Sequence, residues 1–216
     1  IIHAAYLPLT ADRPVQSTNL LYEPRGTGNA RLWVVNDDND SVSVFDAVTR
    51  AKLTELAIGA APRSLALTPS GAEVWVANKR GASVSVISTT SLTVTQTIVL
   101  PRGSQPYGIA IARAANAAVV ALEAGGALVR IDLSTRALGA AAPIGSNVRH
   151  VTVAADGRTV YASRFVTPPL PGEGTATVQT SVDGAPVGGE VVVVDASTMI
   201  VQRTITLAHS NDVDAE

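Results

Sequence analysis

A pattern that returns about every 43 residues constrains this chain more than any other feature. Aligned on the apolar centre of a short strand, Trp33, Trp75, Val120 and Tyr161 stand 42, 45 and 41 residues apart. Aligned on the polar residue that closes the next strand, Asp46, Ser88, Asp132 and Asp195 stand 42, 44 and 63 apart. Two independent features give the same period in three blocks, and the fourth carries about 20 extra residues.

The block 62–100 shows the pattern most completely. Four runs rich in Val, Ile, Leu and Thr are separated by turn residues, and periodicity near two marks such runs as strands. First strands are expected at 19–22, 64–68, 108–112 and 150–154, and second strands at 31–36, 73–78, 118–123 and 159–164. Gly or Asn in Pro24-Arg-Gly-Thr-Gly, Pro69-Ser-Gly, Ala114-Ala-Asn and Ala155-Asp-Gly supplies the positive φ of a tight turn. The third-to-fourth turns read Asp46-Ala-Val-Thr, Ser88-Thr-Thr-Ser, Asp132-Leu-Ser-Thr and Asp195-Ala-Ser-Thr. Their leading side chains bond backbone N–H groups two or three residues on, so these carboxylates are expected to close turns rather than do chemistry. No helical period persists, and four-stranded antiparallel sheets repeated in this way predict an all-β chain of β-propeller blades.

Four blades are visible: 15–59, 60–101, 102–145 and 146–216, the last interrupted by an insertion at 165–189. Residues 1–14 match a fourth strand, as if they ended a preceding blade. The expectation is therefore a segment of a larger ring whose remainder is the first partner to look for.

The block form Pro-x-x-Leu-Ala-Leu, Ser-Gly, Val-Trp-Val-Ala-Asn78, Ser-Val-Ser-Val-Ile, with Trp33-Val-Val-Asn36 one block earlier, resembles the YVTN repeat of bacterial and archaeal surface-layer and secreted propellers. The likeness covers most of the chain and is tightest in the first two blades. The third reads Val119-Val-Ala-Leu-Glu123, and the fourth has Arg164 where Asn is expected. The resemblance implies a propeller of about seven blades and a periplasmic or extracellular location. It implies no single activity, because such propellers serve adhesion, scaffolding and, beside cofactor domains, redox enzymes.

Composition narrows the partners. Charged residues make up 16% of the chain and the net charge is −2 without like-charge blocks, which argues against a nucleic-acid partner. There is no cysteine, so disulfides and thiolate metal sites are excluded. The most apolar stretch, 108–133, is broken by Arg113, Asn116, Glu123 and Arg130, so no membrane-spanning helix is expected.

Strand parity puts the second-to-third loops and the inter-blade connections on one surface, and that surface holds everything irregular. The residues opening the first strands, Asn19, Arg63, Tyr107, Arg149 and His150, are expected to ring the central channel, where arginine forks suit a small anionic ligand; a protein partner is the other expectation for this surface. Inter-blade packing is the alternative role for the same residues. The run Asp37, Asp38, Asp40 offers carboxylates to Ca²⁺ but lacks the spacing of a calcium loop, and an ordinary turn accounts for it. The insertion carries Phe165 and Glu173 as contact candidates, and strand propensity at 175–181 predicts a small hairpin there. No nucleophile elbow, phosphate loop or histidine pair is present. Two readings stay open: a non-enzymatic binding or scaffold module, and the propeller part of a lactonase-like hydrolase or redox enzyme. A structural surface-layer tile is a third.

Overall fold

The computed structural model describes residues 19–164, 181–182, 185–186 and 189–207. Residues 1–14, Phe165 and Glu173 lie outside the described residues. The chain divides into two compact units, 1–107 and 108–216.

The described residues form four antiparallel four-stranded sheets, each with its strands in chain order. The first contains β1 (Leu20–Glu23), β2 (Arg31–Asn36), β3 (Ser41–Asp46) and β4 (Lys52–Ala57). The second contains β5 (Pro62–Leu67), β6 (Glu73–Asn78), β7 (Ser83–Ser88) and β8 (Thr93–Val99). The third contains β9 (Pro106–Ala112), β10 (Ala117–Leu122), β11 (Ala127–Asp132) and β12 (Leu138–Pro143). The fourth begins with β13 (Val148–Val153) and β14 (Thr159–Arg164). A two-residue hairpin follows, β15 (Ser181–Val182) with β16 (Ala185–Pro186), before β17 (Gly189–Asp195) and β18 (Ile200–Leu207) complete the sheet. A single 3₁₀ turn, Arg113–Ala115, is the only helical geometry among the described residues. Of the stretch 175–181 on which a hairpin is expected, residues 175–180 lie outside the described residues; the pairing of β15 with β16 begins at Ser181.

Third strands end at Asp46, Ser88, Asp132 and Asp195, as the repeat predicts. The third sheet departs from expectation by one residue. Ala117 faces Asp132 as Arg31 faces Asp46, so Val119, rather than Val120, is the counterpart of Trp33, Trp75 and Tyr161. The corrected centres stand 42, 44 and 42 apart. All six residues of β10 are buried, so its sequence has no alternation from which to read the face; only the pairing with β11 decides it.

The turns after the third strands explain their own sequence. Asp46 Oδ1 accepts from Val48 N–H at 2.9 Å and Thr49 N–H at 2.7 Å, and Asp132 and Asp195 repeat the arrangement. Four residues after each strand end, Arg50, Leu92, Arg136 and Met199 sit at positive φ. That conformation costs a non-glycine residue about 1–2 kcal/mol, which the carboxylate or hydroxyl cap and the N–H returned to the residue four positions back help to offset.

Each unit has its own core. In the first, Trp33, Val35, Val42 and Val44 on one face of the first sheet pack against Leu65, Val74, Val76 and Ile87 of the second. In the second, Val119, Ala121 and Leu128 of the third sheet pack against Val148, Val160, Ala162, Val192 and Val194 of the fourth. Small residues such as Ala117, Ala142 and Ala162 fill the second core where tryptophan and valine fill the first.

Candidate functional site

Five of the loop-surface candidates within the described residues, Asn19, Asp37, Arg63, Tyr107 and Arg149, take part in contacts that repeat with the sheets. In β5, Pro62 pairs with Asn78 and Ser64 with Ala77, so Arg63 is the extra residue of a bulge; in β13, Arg149 is the extra residue between Val148 and His150. A bulge turns its side chain out of the ladder, and it aims both arginines at the residue following a preceding second strand. Arg63 Nη1 lies 2.6 Å from Asp37 Oδ2, and Arg149 Nε lies 2.5 Å from Glu123 Oε1. Tyr107 occupies the same repeat position, and Lys79 stands where the others have Asp37 and Glu123. There the pair becomes a cation over a ring, with Lys79 Nζ 5.4 Å and the Arg63 guanidinium 5.8 Å from the Tyr107 centroid.

A second set of contacts runs beside this latch. Asn19 Nδ2 donates to the carbonyl of Arg63 at 3.2 Å, and Ser64 Oγ donates to the carbonyl of Tyr107 at 2.9 Å. Gly108 holds the equivalent position in the second unit, where a Cβ would stand 2.1 Å from the carbonyl oxygen of Arg149; only glycine permits that approach. His150 is next in the series and is exposed. Asn19, Arg63 and Tyr107 thus come together in the first unit. Arg149 meets Glu123 in the second.

The three aspartates of the second-to-third loop are engaged differently from one another. Asp37 holds Arg63, while Asp40 Oδ1 accepts from Ala61 N–H at 2.7 Å and lies 4.0 Å from Arg80. Asp38 Oδ1 is buried. Among the described residues, no three His, Asp or Glu side chains converge on a point where they could share a metal ion.

Of the five carboxylates with displaced acidity among the described residues, four serve turns; the fifth, Glu55 of β4, is raised by partial burial but held below its ordinary value by the Lys52, Ser41 and Asn39 side chains. Asp46 is lowered to about 2, first by the Thr49 N–H and then by the Asn29 side chain. Asp156 is also lowered to about 2, first by the Thr159 hydroxyl and then by the Arg158 and Thr159 N–H groups. Asp132 is held down by the N–H groups of Thr135 and Ser134. Partial burial raises Asp195, but the Thr198 N–H and the Arg158 side chain outweigh it, so its acidity too is increased.

One polar device escaped sequence reasoning. The asparagine ending β2 and β6 is buried, and its amide bridges two serines of the next strand. Asn36 Nδ2 donates to Ser41 and Ser43 at 3.0 and 2.9 Å; Asn78 Nδ2 donates to Ser83 and Ser85 at 3.1 and 2.9 Å. The signal was the fixed offset of five and seven residues from Asn to Ser in both blocks. In the third sheet Leu122 faces Ala127, an apolar pair at the same place. In the fourth, Arg164 Nη1 meets Glu190 Oε2 at 2.6 Å. The apparent decay of the motif is a change of chemistry made on both strands at once.

With this geometry in hand, comparison with known proteins bears on the fold. No protein-family model and no curated protein sequence matches the chain. Hydrazine synthase of Kuenenia stuttgartiensis superposes with a TM-score of 0.76 at 22% identity, over 98% of this chain and 54% of that one. Virginiamycin B lyase of Staphylococcus aureus superposes with a TM-score of 0.65 at 14% identity, over 90% of this chain and 57% of that one. Both are β-propeller proteins. The fold is that of β-propeller blades. The chain spans a little over half the length of either neighbour, and at these identities the likeness concerns the fold alone. Each sheet is a blade, and the bulge-centred contacts are inter-blade contacts within each unit. No helix among the described residues is long and apolar enough to cross a membrane.

Proposed function

We propose that the chain is a non-enzymatic binding or scaffold module within a larger propeller of an exported protein. Its recognition surface is the one bearing the second-to-third loops, the inter-blade connections and the 165–189 insertion. The observation that carries this reading is the bulge position: Arg63, Tyr107 and Arg149 are held in place by partners, with Lys79 and Arg63 set over the Tyr107 ring, so the surface presents fixed polar groups. Prepositioned groups of this kind suit recognition of an anionic group or an acidic peptide, because little side-chain freedom is lost on binding. Ca²⁺ at the Asp37–Asp40 loop is a lesser alternative ligand.

The names of the two neighbours favour a second reading. One is a synthase and the other a lyase, so propellers of this shape occur in enzymes, and this chain would then be the propeller portion of one. Calorimetry with citrate, inorganic phosphate and a Glu-rich peptide separates the two. The module reading expects saturable binding that weakens at least tenfold in Lys79→Ala and is unchanged in Arg203→Ala. No binding of any of the three overturns it. Turnover of a lactone or redox substrate by the purified chain would favour the enzyme.

A further inference from the structure

The first and second blades carry one face of the same construction, and the two differ in what lies against it. Register equates Leu32, Val34 and Phe45 of the first blade with Val74, Val76 and Ile87 of the second. In the second blade these three have no exposure, packed beneath the Trp33 face of the first. In the first blade Leu32, Val34 and Phe45 are half-buried, and Leu20 and Tyr22, opposite Val34 and Leu32, are exposed. A cavity of about 300 Å³ opens on this face, lined among the described residues by Leu32, Val34, Phe45, Asp46, Ala47 and Arg50. It lies at the turn end of β3, opposite the Asp37–Asp40 loop, and is therefore distinct from the recognition surface above.

One residue at its rim breaks a pattern. The position four places after each third strand, at positive φ in every blade, holds Arg50, Leu92, Arg136 and Met199. Leu92 packs on the Trp33 core, and Met199 is 5% exposed in the core of the second unit. Where a neighbouring blade of the same unit covers the face, the position is apolar. Arg136 donates its guanidinium to the Leu133 carbonyl. Arg50 is exposed, and among the described residues no hydrogen bond or ion pair engages its guanidinium.

The nearby charges are committed. Asp46 Oδ1 accepts the Val48 and Thr49 N–H groups, and its Oδ2 accepts from Asn29 Nδ2 at 2.9 Å. Lys52, which faces Phe45 across the ladder, is held by Glu55. The cavity thus combines an apolar floor with one uncommitted positive charge among its lining residues. Small-molecule sites have this build, an apolar lining with a few polar groups that fix orientation. A guanidinium fork matches a carboxylate through two parallel N–H···O bonds. A cavity of about 150 Å³ holds benzene, so this one has room for a ring with a short alkyl chain.

We infer that the cavity at Phe45 and Arg50 binds a small amphipathic monocarboxylate. Its aryl or alkyl body lies on Leu32, Val34 and Phe45, and its carboxylate meets the Arg50 guanidinium. This site goes beyond the recognition-surface reading and does not depend on it.

The test is calorimetry of the full chain with 4-phenylbutyrate, which is expected to saturate below about 1 mM. Arg50→Asn, whose new side chain tolerates positive φ, should weaken binding at least tenfold. The parent chain should bind 4-phenylbutanol and 4-phenylbutylamine at least tenfold more weakly than the acid, and this comparison needs no variant to fold. Amide NMR shifts caused by the acid should centre on Leu32, Val34 and Phe45. Lys79→Ala should leave phenylbutyrate binding unchanged, which separates this outcome from that of the citrate experiment. No saturation by about 5 mM, equal binding of acid and alcohol, or shifts centred elsewhere would overturn the inference. So would self-association that protects those three amides and that the acid does not disperse, because a protein face would then be the occupant.

Discussion

Replacing Asn78 by leucine tests whether the buried amide network is an integral part of the second blade. Asn78 has no exposure, and the two serines it bridges are 5% and 1% exposed. Leucine branches at Cγ as asparagine does, so the main loss is the shared donor. A buried polar group left unsatisfied costs about 1–3 kcal/mol, which for the two hydroxyls that lose their donor, less the relief of removing the unpartnered Asn78 Oδ1, sets the expected loss at about 3 kcal/mol. The triple variant Asn78→Leu, Ser83→Ala, Ser85→Val copies the residues of the third blade, Leu122, Ala127 and Val129. It forfeits only the long Gly59 N–H to Ser85 bond at 3.4 Å, a loss of about 1 kcal/mol at most. Two substitutions that each remove a hydroxyl should therefore restore about 2 kcal/mol to the first. Urea unfolding followed by tryptophan fluorescence reads the right part of the chain, because both tryptophans, Trp33 and Trp75, are fully buried in the first unit. A cost below 1 kcal/mol for Asn78→Leu, or a triple variant as unstable as the single one, would refute the reasoning.

Three other outcomes follow from the contacts above. The folded-state pKa of Asp46 and of Asp156 lies below the ordinary 3.8, so their contribution is complete above pH ~4 and is lost as pH falls towards 2. The melting temperature of the parent should fall more steeply between pH 5 and 2 than that of an Asp46→Asn, Asp156→Asn variant. Arg149→Ala leaves Glu123, 6% exposed, without its guanidinium and should cost about 2–3 kcal/mol in urea unfolding. Importing the Lys79–Tyr107 chemistry as Glu123→Lys with Arg149→Tyr should recover more than half of that. Gly59→Ala places a methyl 2.5 Å from Asn78 Nδ2 and should cost about 2–3 kcal/mol. Gly71→Ala meets open space and should cost only the positive-φ strain of about 1 kcal/mol.

The blades were legible because period, turn residues and strand ends agree with one another, and the carboxylates of Asp46, Asp132 and Asp195 bond where the turn pattern places them. Legibility failed where a strand has no polar side. Ala117–Leu122 is buried throughout, and counting from the apolar centre placed it one residue late. That slip hid the equivalence of Glu123 with Asp37 and Lys79. The roles of Arg63 and Arg149 were hidden for another reason, since a bulge is an extra residue that strand alternation alone does not reveal. The asparagine network needed both strands to be read together, because a buried amide is explained only by the serines opposite it.

The Asn–Ser, Leu–Ala and Arg–Glu pairs share one property: each lies wholly inside its own sheet. A blade duplicated or transplanted elsewhere in such a chain carries its buried polar solution along intact, whichever of the three it uses. The Arg63–Asp37 and Arg149–Glu123 latches span a border, so a blade moved to a new neighbour loses its old partner. Divergence after duplication is therefore free inside each sheet and tied to the adjoining one at the bulge. Blade order, in a chain built this way, is written at the inter-blade border rather than in the strand motifs that make the blades recognisable.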